Sequence, residues 1–320
     1  MVSQFVTLEN IRSAQERIRH KVLRTPIIAD TRIAGCYLKQ EYRQTTGAFK
    51  LRGATNAIMS LSPEHRARGV VTASTGNHGR ALAHAAGIAG IRAVVCLSHL
   101  VPENKVLAIR ELGAEVRVAG ESQDEAMEEV ARVVESEGLA EIPPFDAEAV
   151  VAGQGTLGLE ILSDVPEPDC ILIPLSGGGL AAGVAAAVKA LSPGTRIVGV
   201  SMEVGAAMAA SLAVGHPVLV KETPTLADSL GGGIGLTNKI TFAMCRAYLD
   251  DVILVTEDEI AISMRHIHAV TGDAVEGAAA VGVAAIIAGR ILPCAKTICI
   301  LTGANVAPEA FASVLNGGRP

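Results

Sequence analysis

Short runs of β-branched and aliphatic residues alternate along the chain with Ala-rich segments whose apolar positions recur every three or four residues. The runs at 70–74, 93–97, 115–119, 170–175, 196–202, 252–255 and 297–301 predict strands, and the periodic segments 79–89, 104–112, 122–137, 180–191 and 257–270 predict helices. Strand, helix, strand repeated in this way predicts an α/β fold with parallel-rich sheets flanked by helices on both faces. Near the start, Leu8, Ile11, Ile18 and Val22 recur at helical spacing behind Thr7, a residue suited to an N-cap, so a helix is expected over 7–22, ended by Arg24-Thr25-Pro26. The stretch 141–158, with Pro143-Pro144 and several glycines, reads as a loop-rich division. It suggests a small domain over 50–147 and a large one built from 1–49 and 148–320.

The 320 residues are enough for two domains sharing one sizeable core. Hydrophobic residues reach 49% but only five are Phe, three Tyr and none Trp, so Ala, Val, Leu and Ile must fill the interior. A surface that stacks bases on rings would use up most of those aromatics. The net charge of −6 also lacks the basic footprint of a phosphate-backbone binder, which leaves a small molecule as the expected partner and excludes nucleic acid. Cys36, Cys96, Cys170, Cys245, Cys294 and Cys299 show no close C-x-x-C spacing, and most sit in apolar runs, as small core residues of a reducing compartment do. Residues 1–24 lack the apolar stretch of a signal peptide, and no apolar run reaches the ~20 residues of a membrane span. A soluble, cytoplasmic protein without a membrane partner is expected.

Four strings carry candidate chemistry, each where an open parallel sheet would bind a ligand, at a turn into a helix. Thr46-Gly47-Ala48-Phe49-Lys50-Leu51-Arg52-Gly53 sets a lysine in a largely apolar context. Such a lysine is ordinarily a surface residue, but when half-buried it loses its proton more readily and can serve as an amine nucleophile or base. Ala73-Ser74-Thr75-Gly76-Asn77-His78-Gly79 follows a predicted strand and opens a helix, where backbone N–H groups and short polar side chains would converge on a carboxylate. An N-cap with a tight turn explains Ser74 or Thr75 but not Asn77 and His78 as well. Leu175-Ser176-Gly177-Gly178-Gly179-Leu180 lets the backbone approach a phosphate at a helix N-terminus. With Ala182 it also satisfies a dinucleotide fingerprint, Glu203 standing where a ribose-binding acid would sit, so an NAD-linked oxidoreductase is a rival reading. Ile300-Leu301-Thr302-Gly303-Ala304-Asn305 puts a hydroxyl at the tip of the last strand, a pattern that a plain strand end with a turn also explains. A further cluster, 229–235, is glycine-rich enough to pass over a flat ligand.

With all four strings in this order, the chain resembles the fold-type II pyridoxal-phosphate enzymes, the tryptophan synthase beta-like group that holds the threonine and serine dehydratases and serine racemase. Within it, Ser74-Thr75-Gly76-Asn77-His78-Gly79 continued to His84, Ser201-Met202-Glu203 followed by Gly205-Ala206-Ala207-Met208, and the run 226–235 look most like the hydroxyectoine-utilisation dehydratases. The resemblance implies pyridoxal 5'-phosphate as cofactor, a homodimer, and Lys50 as the residue that forms the internal aldimine and later moves the Cα proton. Phe49 and Gly231 would flank the ring, Asn77 would bind its 3-hydroxyl, and the backbone at Gly177, Gly178, Gly179 and Leu180 would hold the phosphate. Thr302 would face the pyridine nitrogen, and Ser74, Thr75, Gly76 and His78 would surround the substrate carboxylate.

The implied reaction is loss of water from a β-hydroxy amino acid or a hydroxyectoine-type compound, with the cofactor phosphate as the acid. A simple substrate would then give a 2-oxo acid and ammonia. A neutral partner such as Thr302 would not keep the ring nitrogen protonated, which favours elimination over transamination. Ala48, Ser176, Thr302 and Ala304 depart from the family's commoner residues, but none removes a backbone donor. Thr75 stands where serine racemase has its second base, and its extra bulk argues against racemisation. The divalent-cation site of some relatives would need an acid at Ala209 beside Glu203, so no metal is expected. The segment 31–38 is short for the family, which implies an altered entrance. A pyridoxal-phosphate carrier or regulator that keeps Lys50 without turnover is the non-catalytic alternative.

Overall fold

The computed structural model describes residues 5–74, 76–99, 101, 103–121 and 123–318. Among them are two sheets. The larger has the order β1-β2-β10-β7-β8-β9, formed by β1 (Ile27–Ala29), β2 (Cys36–Lys39), β7 (Cys170–Pro174), β8 (Arg196–Met202), β9 (Asp251–Val255) and β10 (Thr297–Ile300). The smaller has the order β5-β4-β3-β6, formed by β3 (Val70–Ala73), β4 (Ala93–Leu97), β5 (Glu115–Val118) and β6 (Ala140–Glu141). Only the β1–β2 pair is antiparallel. Strands β3, β4, β7 and β10 are buried along their whole length, as parallel strands covered on both faces must be. All seven predicted strands are present within a residue at each end. The predicted helices are present too, with small shifts at their ends.

The first helix spans Leu8–Ile18, shorter than expected. Thr7 caps it in a capping box with Asn10, and the chain leaves the helix before Val22, with His20 at φ +65°. A larger correction concerns 141–158. Instead of a loop-rich division, most of that stretch belongs to a helix, Glu148–Asp164. Its glycines are contact surfaces, not breaks. A Cβ on Gly155 would lie 2.7 Å from Cδ1 of Ile11, and one on Gly183 would lie 2.6 Å from the Gly155 nitrogen and press on the Val151 carbonyl. Helices Glu148–Asp164 and Gly179–Leu191 therefore cross with their backbones in contact, a separation that only glycine permits. The same helix also packs on Leu8–Ile18 and on Lys50–Met59. The core it helps to fill is aliphatic, with Ala182, Val184, Ala185 and Val188 buried on one side of the large sheet and Ala278 to Ala280 on the other. Five of the six cysteines are buried free thiols, and Cys294 is exposed.

Gly183→Ala tests this crossing. The added methyl group meets main chain that cannot rotate away, so a stability loss of about 1–3 kcal/mol is expected in urea unfolding, with an unchanged m value.

Candidate active site

Lys50 is the first residue of helix Lys50–Met59, directly after the 46–49 turn. That turn is tied to the tip of β10 by backbone: the Phe49 N–H donates to the Thr302 carbonyl (3.0 Å), the Ala304 N–H donates to the Gly47 carbonyl (2.9 Å), and Ala48 and Gly303 form an antiparallel bridge. Gly47 has φ +75°, and a Cβ there would lie 2.7 Å from Oδ1 of Asn305. The turn thus closes only with glycine, and it sets Lys50 beside the end of the last strand. The Lys50 Nζ donates to the Pro144 carbonyl at 2.8 Å and lies 5.4 Å from the centre of the Phe49 ring. Burial lowers its amine to about 8, against the pull of Glu276, which favours the ammonium.

The other predicted residues gather at the same carboxyl ends. Asn77 and His78 open helix Asn77–Ala89 after β3, both buried. Asn77 donates through Nδ2 to both carboxylate oxygens of Glu276 (3.0 and 3.1 Å) and accepts at Oδ1 from Asn305. The His78 ring donates from Nε2 to the Ile142 carbonyl at 2.9 Å, so Nδ1 is the bare nitrogen. Burial, with the nearby Lys50 charge, pushes this ring down to about 3 and keeps it neutral. Its contribution to a carboxylate would come from its backbone N–H at the helix start. Ser74 orders the turn by accepting at Oγ from the Gly79 N–H (3.1 Å). Thr75 lies outside the described residues, and a Cβ on Gly76 would meet nothing within 4 Å.

After β7, Gly177, Gly178, Gly179 and Leu180 are buried at the start of helix Gly179–Leu191, and Gly178 has φ +86°. Phe145 packs against Gly177 and Gly179, where side chains would collide with it. The segment holding Gly231 joins the group through its neighbours: the Leu226 carbonyl abuts Gly277, and Asp228 and Ser229 face Glu276. Gly231 itself is exposed.

Glu276 was not among the residues the sequence singled out. It follows Val275 in a plain apolar context, and its distance from Asn77 along the chain hides the contact. Burial raises its carboxyl to about 7, helped by the charge of Asp228 and opposed by the Asn77 hydrogen bond. Thr302 supplies a further observation. Its Oγ1 is buried and has no hydrogen-bond partner among the described residues. A lone buried hydroxyl at the tip of β10, glycines with bare backbone at a helix start, and a lysine poised near neutrality fit pyridoxal phosphate, whose ring nitrogen, phosphate and aldehyde need those groups.

The fold, with a cluster at the carboxyl ends of parallel strands that fits an aldehyde cofactor, defines a class: pyridoxal-phosphate enzymes. The chain belongs to the pyridoxal-phosphate dependent enzyme family, whose model matches residues 18–303, in its fold-type II branch of dehydratases and ammonia-lyases. It is 55% identical over 318 residues to a Sinorhizobium fredii protein provisionally named a threonine dehydratase, covering 98% of this chain and 96% of the relative. It is 37% identical to an L-threonine ammonia-lyase of Thermotoga maritima over 318 residues, covering 98% of this chain and 79% of that one. The structure of maize serine racemase superposes with a TM-score of 0.91 at 34% identity, covering 98% and 97% of the two chains. The cofactor is pyridoxal phosphate, which leaves the dinucleotide reading of Gly177, Gly179 and Ala182 without support. No helix among the described residues is long and apolar enough to cross a membrane.

Glu276 gives the site a pH signature. Its folded value lies above the usual carboxyl value of 4.5, so the folded chain holds an extra proton between pH 4.5 and about 7, and that contribution to stability is lost as pH rises through this window. Glu276→Gln is expected to remove a fall of up to about 3 kcal/mol over the window, read as a flatter dependence of unfolding free energy on pH.

Proposed function

We propose that the protein eliminates water from a β-hydroxy amino acid, releasing ammonia and a 2-oxo acid from simple substrates, and that a hydroxyectoine-type compound is the finer candidate among its substrates. The names of the relatives support the first part: the Sinorhizobium protein as a threonine dehydratase and the Thermotoga enzyme as an L-threonine ammonia-lyase. The runs 74–84, 201–208 and 226–235 support the second, through the resemblance they carry. The observation that carries the reading is the Lys50 amine, lowered to about 8 and held by the Pro144 carbonyl, so that it passes readily between its neutral and charged forms.

Pyridoxal phosphate, when bound, supplies the electron sink that acidifies the Cα–H of an attached amino acid. Gly177, Gly178, Gly179 and Leu180 would hold the phosphate through main-chain N–H groups, with the favourable dipole of the helix they begin. Thr302 offers its unpartnered hydroxyl to the ring nitrogen without adding charge. Asn77, fixed between Glu276 and Asn305, would hold the ring's 3-hydroxyl, and Phe49 and Gly231 would flank the ring. Ser74, Gly76 and His78 would surround the substrate carboxylate at the start of the Asn77–Ala89 helix, as the resemblance also implies for Thr75. Lys50 would take the Cα proton, and neutral His78 would not compete for it. The homodimer and the cytoplasmic location expected from the sequence belong to this same reading.

Lys50→Ala is expected to lose the visible absorption of lysine-bound cofactor and roughly 10²–10⁴-fold in turnover. Ammonia release and loss of water, followed with serine, threonine, 3-hydroxyaspartate and hydroxyectoine-derived compounds, measure the activity and rank the substrates. A colourless variant with full activity would overturn the role of Lys50.

A further inference from the structure

Pro144, Phe145 and Asp146 form a short strap just before helix Glu148–Asp164. Pro144 holds the Lys50 amine through its carbonyl, and Phe145 packs on Gly177 and Gly179. The Asp146 carboxylate reaches far along the sequence to accept three main-chain N–H groups, from Lys239 at Oδ2 and from Ile240 and Thr241 at Oδ1, each at 2.9 Å. These are the N–H groups at the start of helix Thr241–Tyr248, where a negative charge is most favourable. That helix start is itself a junction. Asn238 donates to the Ile234 carbonyl (3.1 Å) and to Thr241 Oγ1 (2.8 Å), and it accepts from the Phe242 N–H (2.9 Å), which anchors the end of the glycine-rich 231–235 segment. A Cβ on Gly178 would lie 2.9 Å from the Cys245 sulfur and 3.2 Å from the Thr241 Cβ, so the helix packs directly on the other glycine loop.

We propose that Asp146 is a positioning residue for Lys50: by pinning the strap to the start of helix Thr241–Tyr248, it holds the Pro144 carbonyl at the amine and Phe145 behind the glycine loop. This rests on the reading of Lys50 as the cofactor-bearing lysine. The physical chain is short. Asp146 is two residues from Pro144, and the three charge-assisted bonds it accepts are stronger than neutral ones. With the carboxylate removed, three N–H groups lose their acceptor and the strap is released from the helix. Its Pro144 carbonyl then leaves the amine, and its phenyl ring leaves the glycines. A simple helix cap would affect stability alone, whereas a positioning residue also changes how Lys50 titrates, because a carbonyl acceptor favours the ammonium form.

The test compares Asp146→Ala and Asp146→Asn with the parent holoenzyme, with Lys50→Ala as control. For Asp146→Ala, the acid limb of the kcat–pH profile is expected to move down by about one pH unit, the size of one lost hydrogen bond to a charged group. Cofactor retained through dialysis, read from the visible band, should correspond to at least about a tenfold loss of affinity, since a tenfold change needs only ~1.4 kcal/mol. Asp146→Asn keeps the oxygen that serves Ile240 and Thr241 but loses the acceptor for Lys239, so it should fall between the two, and it decides the matter if the alanine variant does not fold. Parent-like pH profiles and cofactor retention in the folded variants, with only the melting temperature lowered, overturn the proposal. If Lys50→Ala keeps the visible band, the reading of Lys50 fails and the role of Asp146 falls with it. If Lys50→Ala is colourless and the Asp146 variants match the parent, only the Asp146 proposal fails.

Discussion

Two residues beyond Lys50, the guanidinium of Arg52 is fully buried between two carboxylates, and the placement of the site depends on that arrangement. Arg52 donates to both oxygens of Glu41 (2.7 and 2.8 Å) and to both oxygens of Glu160 (2.7 and 2.9 Å). Lys39 adds an ammonium that donates to Glu160, Asp164 and the Thr25 carbonyl, and Thr25 donates to Glu41. Burial alone would raise the Glu41 carboxyl, but the charge and hydrogen bonds of Arg52 hold it below its usual range. A buried charge that loses its partner costs about 3–5 kcal/mol, so these groups assemble together or not at all. Assembled, they fix the end of β2, the start of helix Lys50–Met59 and the Glu148–Asp164 helix in one arrangement. The direction in which Lys50 leaves its helix follows from it.

The bridge between the 46–49 turn and Thr302–Ala304 then completes the geometry at short range. Arg52 sets the helix, and the bridge sets its first residue against the last strand of the large sheet. Three titratable groups meet there and burial is the largest cause of each shift: the Lys50 amine down to about 8, the His78 ring down to about 3, and the Glu276 carboxyl up to about 7. The result is an amine held near neutrality beside a histidine kept neutral. Burial separates the roles because Asn77 and Asn305, the side chains linking Glu276 to the rest of the site, carry no charge of their own.

Much of this was legible along the chain. Strands such as β4 and β7 read directly from their apolar runs, because a doubly covered parallel strand leaves no polar position to confuse the pattern. The motif strings marked the turns at the carboxyl ends because each breaks its local apolar rhythm with glycine and short polar residues. What escaped notice shares one property, since its meaning lies in a partner distant along the chain. The glycines of helix Glu148–Asp164 look like breakers until Gly183 and Ile11 are seen against them. Glu276 looks like an isolated acid until Asn77 is opposite it. Asp146 lies in a stretch read as loop, and the N–H groups that donate to it begin at Lys239.

Buried polar groups are handled differently at the two centres, and the difference is functional. Around Arg52 the carboxylates and cations are matched, which costs conformational freedom and fixes a single packing. At the tip of β10 and the start of the Asn77–Ala89 helix, Thr302 Oγ1 and His78 Nδ1 are buried with no partner among the described residues. An unmet buried donor or acceptor costs about 1–3 kcal/mol, and a fold tolerates it where a ligand will supply the missing bond. Thr55 of helix Lys50–Met59 and Gln154 of helix Glu148–Asp164 are also left without partners among the described residues, and nothing in the structure explains them. The scarcity of aromatic rings fits the same division. An interior of Ala, Val, Leu and Ile with glycine at the crossings lets helices approach closely enough to bury the Arg52 network, while Phe145, one of five phenylalanines, is placed against Gly177 and Gly179. The satisfied centre supplies rigidity, and the unsatisfied one can then keep its unpaired groups without collapsing on itself.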